Sequence, residues 1–396
     1  MTRENGSARA GRSAFMTLGA ALFYLIVLVL TALAFRWLLF ALHSDAVEKS
    51  SVRTAVPKEK TGRVDLIGGL DVYANNSASD ALSDLVYIKK IYTIPEDALV
   101  APAPDPAAYG STDDPAEVQA VVERAGELLD GQTLYWNPEI ERRPGTPILY
   151  YYDETILAIC WKENVNGCAV TFSEVKIAHP SQLRRCIAGN SYGSGVRYTA
   201  SNMAKAANAV VSIDGDFYDY RQLGITVYQR QLYRNKPESV DSCFFTASGD
   251  MLFSHRGELK GEGEAEKFVQ DNDVLFAIAF GPILVEDGQP TVTTSYPVGE
   301  VLHPYTRASI GQYEKLHYLL MTAGFEDNLS NVMDINGAAQ LMASMGVDRA
   351  YAVDGGQSAV LYFNGGPFNH VDFGEERTMS DIIYFATAIP DGGEDS

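Results

Sequence analysis

From Pro147 onward the chain consists of short apolar segments separated by polar residues and glycines. Segments of this kind, rich in β-branched and aromatic residues, are typical of β-strands. They outnumber the helical segments, so the sequence predicts an α+β domain with a large mixed sheet and a few packing helices. The predicted strand segments are ILYYYDETILAICW (148–161), GCAVTFSEVKIA (167–178), AVVSIDGDFY (209–218), GITVYQ (224–229), SCFFTA (242–247), GDMLFS (249–254), VLFAIAFGPILVEDG (274–288), TRASIG (306–311), LHYLLMTA (316–323), RAYAVDGG (349–356), SAVLYFNG (358–365) and DIIYFATAI (381–389).

Three segments show helical spacing instead. Residues 116–131 place apolar side chains on one helix face, with Asp114 and Pro115 suited to its start and Gly131 to its end. Residues 199–209 and 330–346 each precede a predicted strand. In the last segment Met333, Leu341, Met342 and Met345 are expected to line one face.

The N-terminal region contains 22 uncharged residues, 14–35, preceded by Arg3, Arg9 and Arg12. This length crosses a bilayer, and the arginines place the N-terminus in the cytoplasm. A cleaved signal peptide is the alternative, but the apolar stretch continues beyond Arg36. We therefore expect a single-pass cell-membrane protein whose C-terminal domain is extracytoplasmic, in the cell envelope.

These features divide the chain into five predicted parts. The proline-rich stretch at 95–115 indicates a linker. The parts are a cytoplasmic tail (1–13), a transmembrane signal anchor (14–42), a stalk and linker region with one helix (43–145), the main domain (146–390) and an acidic tail (391–396).

Composition limits the partners and the role of the cysteines. The formal net charge of −20 argues against nucleic acid, whose phosphates require a basic surface. Four cysteines, an even number, permit disulfides in an exported domain, and Cys160 and Cys168 could face each other across a hairpin. Four buried free thiols are the alternative. The chain has no C-x-x-C pair, so the sequence does not indicate a structural zinc site.

Two of the predicted strands end in the same way, VVSIDGDFYD and AYAVDGGQS, each with an Asp-Gly step after an apolar run. Asp214 and Asp216 are two residues apart and point to the same face of an extended chain. A carboxylate at the end of a core strand is costly to bury unless it is paired or used. A hairpin turn at Asp354 is the alternative interpretation, because Asp-Gly is a common turn signal. Two such ends favour a shared site.

Arg307 lies among small and apolar residues in HPYTRASIGQ, 303–312. A guanidinium binds a phosphate or carboxylate through a planar fork, and a structural ion pair with one of the acids is the alternative. His303 is either an acid–base group or a structural residue. In FGPILVEDGQ, 280–289, the Gly-Pro step predicts a bend and EDG predicts a hairpin turn.

These motifs, taken in order, resemble the phosphodiester glycosidase family over about residues 165–388. AVVSIDGDFYD, FGPILVEDGQ, TRASIG, LMASMGVDRAYAVDGGQSAVLYFNG and the closing ERTMSDIIYF carry the resemblance. The chain departs from the family pattern at three positions. Asp214 stands where the family has Asn, and Asp216 and Gln357 stand where members often have Gly.

The resemblance implies a hydrolase that removes a sugar from a sugar-1-phosphodiester. Carboxylates would stabilise an oxocarbenium-like centre and activate water, and a guanidinium would hold the phosphate. The candidate catalytic residues are Asp354, Asp214, Asp216 and Arg307. The candidate substrate-binding residues are Gly215, His303, Gly355, Gly356, Gln357 and Ser358, with backbone N–H groups of Gly355 and Gly356 facing phosphate oxygens.

Two questions stay open at this point. Neighbouring carboxylates are compatible with Ca²⁺ or Mg²⁺, but no spacing specifies a metal. A non-catalytic glycan-binding or scaffold module of the same fold is the alternative function. The substitutions at Asp214, Asp216 and Gln357 favour that alternative, whereas Asp354 and Arg307 favour an enzyme.

Overall fold

The computed structural model describes residues 63–66, 70–73, 91–326 and 328–391. The chain divides into two compact units, Met1–Ile88 and Lys89–Ser396. In the first unit, β1 (Arg63–Leu66) and β2 (Leu70–Tyr73) form an antiparallel pair. The predicted anchor at 14–42 lies outside the described residues. No helix within the described ranges is long and apolar enough to cross a membrane.

The second unit is built mostly of strands. Its strands are β3 (Tyr109–Thr112), β4 (Ile148–Asp153), β5 (Ile156–Val165), β6 (Cys168–Ile177), β7 (Leu183–Ile187), β8 (Val211–Asp214), β9 (Gly224–Tyr228), β10 (Gln231–Lys236), β11 (Ser242–Thr246), β12 (Met251–Ser254), β13 (Val274–Ile278), β14 (Ile283–Glu286), β15 (Gln289–Pro290), β16 (Arg307–Glu314), β17 (His317–Gly324), β18 (Arg349–Val353), β19 (Leu361–Phe363), β20 (Gly366–Pro367) and β21 (Asp381–Phe385). Its α-helices are α1 (Pro115–Arg124), α2 (Gly126–Leu129), α3 (Ala200–Ala206), α4 (Glu264–Asp271) and α5 (Ile335–Ser344).

These strands form three sheets. The largest has nine strands in the order β15-β14-β18-β16-β17-β6-β5-β4-β3. A five-stranded sheet has the order β20-β19-β8-β21-β7, and another has the order β10-β9-β13-β11-β12. The large sheet was expected to be mixed, and its pairs among the described strands are antiparallel. The expectation of a strand-rich domain with few helices is confirmed.

Both faces of the nine-stranded sheet are covered, which explains the nearly continuous apolar runs of its central strands. Along β17, Leu319 and Met321 pack in a core with helices α1, α2 and α5. Tyr318 and Leu320 point into a second core that contains residues of both five-stranded sheets. Strand β8 therefore lies across the second core from β18.

The helix predicted at residues 116–131 is divided into two helices, α1 and α2, in the structure. Asp114 caps α1 through its side chain, which accepts a hydrogen bond from the N–H of Ala116, as its position before Pro115 suggests. The helical run breaks at Ala125, and α2 ends at Asp130 in a left-handed conformation. The predicted boundaries at 43–145 and 146–390 stay predictions. Strand β3 and helices α1 and α2 lie within the first of these ranges.

The expectation that Cys160 and Cys168 face each other is wrong, because Cys160 is opposite Ser173 and Cys168 is opposite Val165. The four cysteines are free thiols, three of them buried. The hairpin interpretation of residues 351–366 is also wrong. Strand β18 pairs with β14 and β16, whereas β19 pairs with β8 and β20.

Candidate active site

Residues 349–363 pass from the nine-stranded sheet to a five-stranded sheet, and this crossing brings two aspartates together. Strand β18 ends at Val353, and a short 3-10 turn, Gly356–Ser358, leads towards β19. The N–H of Asp354 donates to the carbonyl of Gly215, with an N···O distance of 3.2 Å. The ends of β8 and β18 are thus joined by a backbone hydrogen bond directly beside Asp214 and Asp354.

Asp214 is the last residue of β8, and its side chain is fully buried. Neither carboxylate oxygen has a hydrogen-bond partner of good geometry among the described residues. Burial raises the pKa of Asp214 well above its usual value of 3.8, and the charge of Asp354 raises it further. The surroundings therefore favour the protonated, uncharged form of Asp214.

Asp354 is half-buried and titrates near the physiological range. Burial raises its pKa from 3.8 to about 6, and the adjacent Ser358 hydroxyl and the charge of Arg377 oppose that effect. The two carboxyl groups consequently have different environments. Such pairs are how proteins keep one acid protonated while a neighbouring acid ionises.

The carboxylate of Asp216 is held by contacts with other residues of the protein. Its carboxylate accepts a hydrogen bond from the N–H of Ala279 at 3.0 Å and lies 3.8 Å from a guanidinium nitrogen of Arg185. The Nε of Arg185 also lies 2.7 Å from Oδ2 of Asp381, and both side chains are fully buried. Burial raises the pKa of both aspartates and the Arg185 charge opposes it; the pKa of Asp381 is raised to about 6.

The guanidinium of Arg307 is held by backbone carbonyls. Its Nε donates to the carbonyl of Met333 at 2.9 Å, and one of its terminal nitrogens donates to the carbonyl of His303 at 2.5 Å. Its central carbon lies 4.3 Å from the ring centroid of Tyr305. These contacts are not the ion pair with an acid that the sequence left open. His303 contacts Arg307 only through this backbone carbonyl among the described contacts, and His303 is exposed to solvent.

The other candidate positions form the turn after Asp354. A Cβ on Gly355 would lie 2.5 Å from the carbonyl oxygen of Thr306, so only glycine fits there. The N–H of Gly356 donates to that same carbonyl at 2.7 Å, which engages one of the two donors expected to face phosphate. The side-chain amide of Gln357 donates to the carbonyl of Glu375 at 3.0 Å. Ser358 is buried beside Asp354.

Gly215 is also restricted to glycine. A Cβ there would lie 2.4 Å from Oδ2 of Asp381, the atom that Arg185 binds. The glycine in the Asp-Gly-Asp step thus permits the close approach of a buried carboxylate to the chain.

Sequence reasoning missed three charged residues near this centre, Arg185, Asp381 and Arg377. Arg185 and Asp381 are 196 positions apart in the chain and are joined by the antiparallel pairing of β7 with β21. No local pattern reveals such a pair. Arg377 and Asp381 do lie in the closing motif ERTMSDIIYF, whose order was informative although neither residue was singled out.

No cluster of three or more metal-ligating side chains is present among the described residues. Two cavities, of about 430 and 630 Å³, lie elsewhere, and neither is lined by Asp214, Asp216 or Asp354. At the strand ends, half-buried Asp354 is partly open to solvent and buried Asp214 lies beside it.

Residues 207–386 match the phosphodiester glycosidase family, which confirms the resemblance for that part of the chain. No curated protein matches the chain in sequence. Among solved structures, the catalytic domain of zebrafish N-acetylglucosamine-1-phosphodiester alpha-N-acetylglucosaminidase, auto-inhibited by its pro-peptide, is similar with a TM-score of 0.48 and 15% identity, covering 66% of this chain and 92% of that one. A protein from Synechocystis is similar with a TM-score of 0.48 and 14% identity, covering 61% of this chain and 64% of that one.

Proposed function

We propose that this protein is a hydrolase that removes the sugar from a sugar-1-phosphodiester. The substrate would be part of a cell-surface glycopolymer or glycoconjugate. The observation that supports it most is the meeting of Asp214 and Asp354, two aspartates with different environments, within the residues that match the family.

In the proposed reaction, the bond between the anomeric carbon and the phosphate oxygen breaks. The bonding electrons leave with that oxygen, which gives a phosphate monoester. The oxygen of a water molecule forms the new bond to the anomeric carbon, and a base takes one of its protons. A phosphate is a good leaving group, so the main needs are to stabilise positive charge at the anomeric carbon and to activate water.

Asp354 suits those needs because it is accessible from solvent and its pKa is about 6. At neutral pH it is mostly ionised, so it can stabilise positive charge and accept the proton of the attacking water. Burial makes the ionised form of Asp214 unfavourable, so we assign Asp214 the uncharged form. A protonated carboxyl group donates a hydrogen bond through its O–H and accepts one at its carbonyl oxygen. The side-chain amide of Asn likewise has both a donor and an acceptor. This explains how Asp can stand where the family has Asn.

The location is part of the same proposal. The uncharged stretch 14–35 and the arginines before it support a single-pass anchor with the catalytic domain on the extracytoplasmic side.

The test is hydrolysis of a panel of methyl diesters of sugar-1-phosphates by the full-length protein in detergent, in water enriched in ¹⁸O. We expect methyl phosphate and free sugar, with the label on the sugar. Label on the phosphate would mean that the P–O bond breaks, and would refute the proposed reaction. Binding of a substrate without turnover would support the glycan-binding alternative. Asp287→Asn is a matched control, because Asp287 also precedes a glycine but lies in an exposed hairpin turn.

A further inference from the structure

The turn after Asp216 carries a cluster of guanidinium groups around two stacked rings, Phe217 and Tyr220. The ring centroids are 4.3 Å apart and the rings are nearly parallel, at 9°. Arg197 lies 3.9 Å from the Tyr220 centroid, and Arg221 lies 5.2 Å from the Phe217 centroid. Arg377 lies 5.5 Å from the centroid of Phe217 and 5.2 Å from that of Tyr220.

Two of these cations have acidic partners. Arg197 pairs with Asp219 at 2.8 Å. Arg221 pairs with Glu300 at 3.1 Å. The described contacts of Arg377 are different, because its neighbours are the two ring faces, and the acid whose pKa its charge lowers is Asp354. Among the described residues no hydrogen bond or salt bridge occupies its nitrogens, so they are available for an anion, and the rings hold its planar group in place.

Two hydrogen bonds of the segment around Arg377, and the effect of its charge on Asp354, place Arg377 near the candidate site. The side chain of Gln357 donates to the carbonyl of Glu375, which holds residues 375–377 against the turn after Asp354. The hydroxyl of Ser380 donates to the carbonyl of Asp216 at 3.2 Å, which fixes the same segment beside the end of β8. The Arg377 charge also lowers the pKa of Asp354, so the two groups interact.

We propose that Arg377, and not Arg307, binds the phosphate of the substrate. The inference rests on the proposed function and specifies which cation holds the leaving group. Arg307 is buried, and two of its five N–H donors are already used by the carbonyls of Met333 and His303, so it is less open to an anion than Arg377. Arg377 is half-buried and reaches solvent beside half-buried Asp354. A phosphate bound there leaves towards solvent while the anomeric carbon faces the carboxylate.

The test is a titration of the full-length protein in detergent with inorganic phosphate, followed by calorimetry. Charge-assisted hydrogen bonds have a free energy that corresponds to a loss of affinity of roughly 10- to 100-fold, and we expect that loss in Arg377→Gln. Arg377→Lys keeps the charge without the planar fork, so its loss should be smaller. The matched control is Arg124→Gln, because Arg124 also lies over a tyrosine ring, that of Tyr152 at 6.0 Å, on helix α1.

Several results would overturn this inference. They are phosphate affinity in Arg377→Gln within twofold of wild type, no phosphate binding by the wild-type protein, or an equal loss in Arg307→Gln. The affinities are compared only between variants whose circular dichroism matches wild type, and Arg377→Lys replaces Arg377→Gln if the latter does not fold.

The phosphate titration is independent of turnover, so it separates this inference from the proposed function. Phosphate binding through Arg377 with no hydrolysis of the diester panel would support the inference and reject the enzyme. Hydrolysis with unchanged phosphate affinity in Arg377→Gln would support the enzyme and reject the inference.

Discussion

Replacement of Asp354 by Asn is the most informative single change, because it removes a charge while keeping the size of the side chain. If Asp354 accepts a proton from water, its loss should lower kcat/KM about 10²- to 10⁴-fold, the usual contribution of a positioned acid–base group. In the wild-type protein kcat/KM should rise with pH and level off, with a midpoint near the pKa of about 6. The Asn variant should show no such midpoint.

The same variant has a calculable effect on stability. The pKa of Asp354 is about 6 in the folded protein and 3.8 for the ordinary group. The folded protein therefore binds more protons than the unfolded chain between these values, and the free energy of unfolding falls as pH rises through that window. At about 1.4 kcal/mol for each pH unit, the wild-type protein loses at most about 3 kcal/mol to Asp354 by pH 7.

In Asp354→Asn the free energy of unfolding should not show this fall as pH rises, because the side chain no longer titrates. Denaturant unfolding at pH 3.5 and pH 7 should show the variant gaining up to about 3 kcal/mol relative to wild type at the higher pH. Asp287→Asn should leave both the pH–rate profile and this difference unchanged. If the Asp354→Asn variant were fully active, Asp354 would have only a structural role in the turn. If the stability difference between variant and wild type did not depend on pH, the raised pKa of Asp354 would be contradicted.

Three further changes test the surroundings. Asp214→Asn should keep most of the activity. It should stabilise the protein increasingly as pH rises above about 4, because burial raises the pKa of Asp214. A loss of activity equal to that of Asp354→Asn would reject the uncharged form of Asp214. Gly355→Ala should cost about 1–3 kcal/mol in a denaturant titration because its Cβ meets Thr306, whereas Gly366→Ala, which meets nothing, should cost less. Arg185→Met should cost about 3–5 kcal/mol by leaving Asp381 unpaired and buried; a melting temperature like that of wild type would contradict this.

The sequence predicted most strands because their cause is local. Strand β17 is buried on both faces, so LHYLLMTA is mostly apolar, with His317 and Thr322 as its polar residues. Helix α4 was missed although Ala265 and Val269 are its buried residues at helical spacing. The end of the first helix at Ala125 was also missed, since the apolar spacing continues through the break into α2.

The candidate site was predictable only in part, and the physical reason is the range of its contacts. Asp214 and Asp354 were recognisable because each breaks an apolar strand next to a glycine, which is a local signal. The interpretation of Arg307 depended on partners 4 and 26 positions away, and both are backbone carbonyls that no side-chain pattern indicates. The partner of Asp216 is Arg185, on a strand that was not predicted.

The ion pairs around the site bear on how a chain with a net charge of −20 could bind an anionic substrate. Asp216 and Asp381 share the charge of Arg185, and burial favours the uncharged form of Asp214. The acids Asp219 and Glu300 pair with arginines of the neighbouring cluster. Exposed acids beyond about 8 Å are screened at physiological ionic strength. Asp354 and Arg377 are then the charged groups of the proposed site that have no salt bridge among the described residues, so the proposed phosphate binding depends on the guanidinium of Arg377.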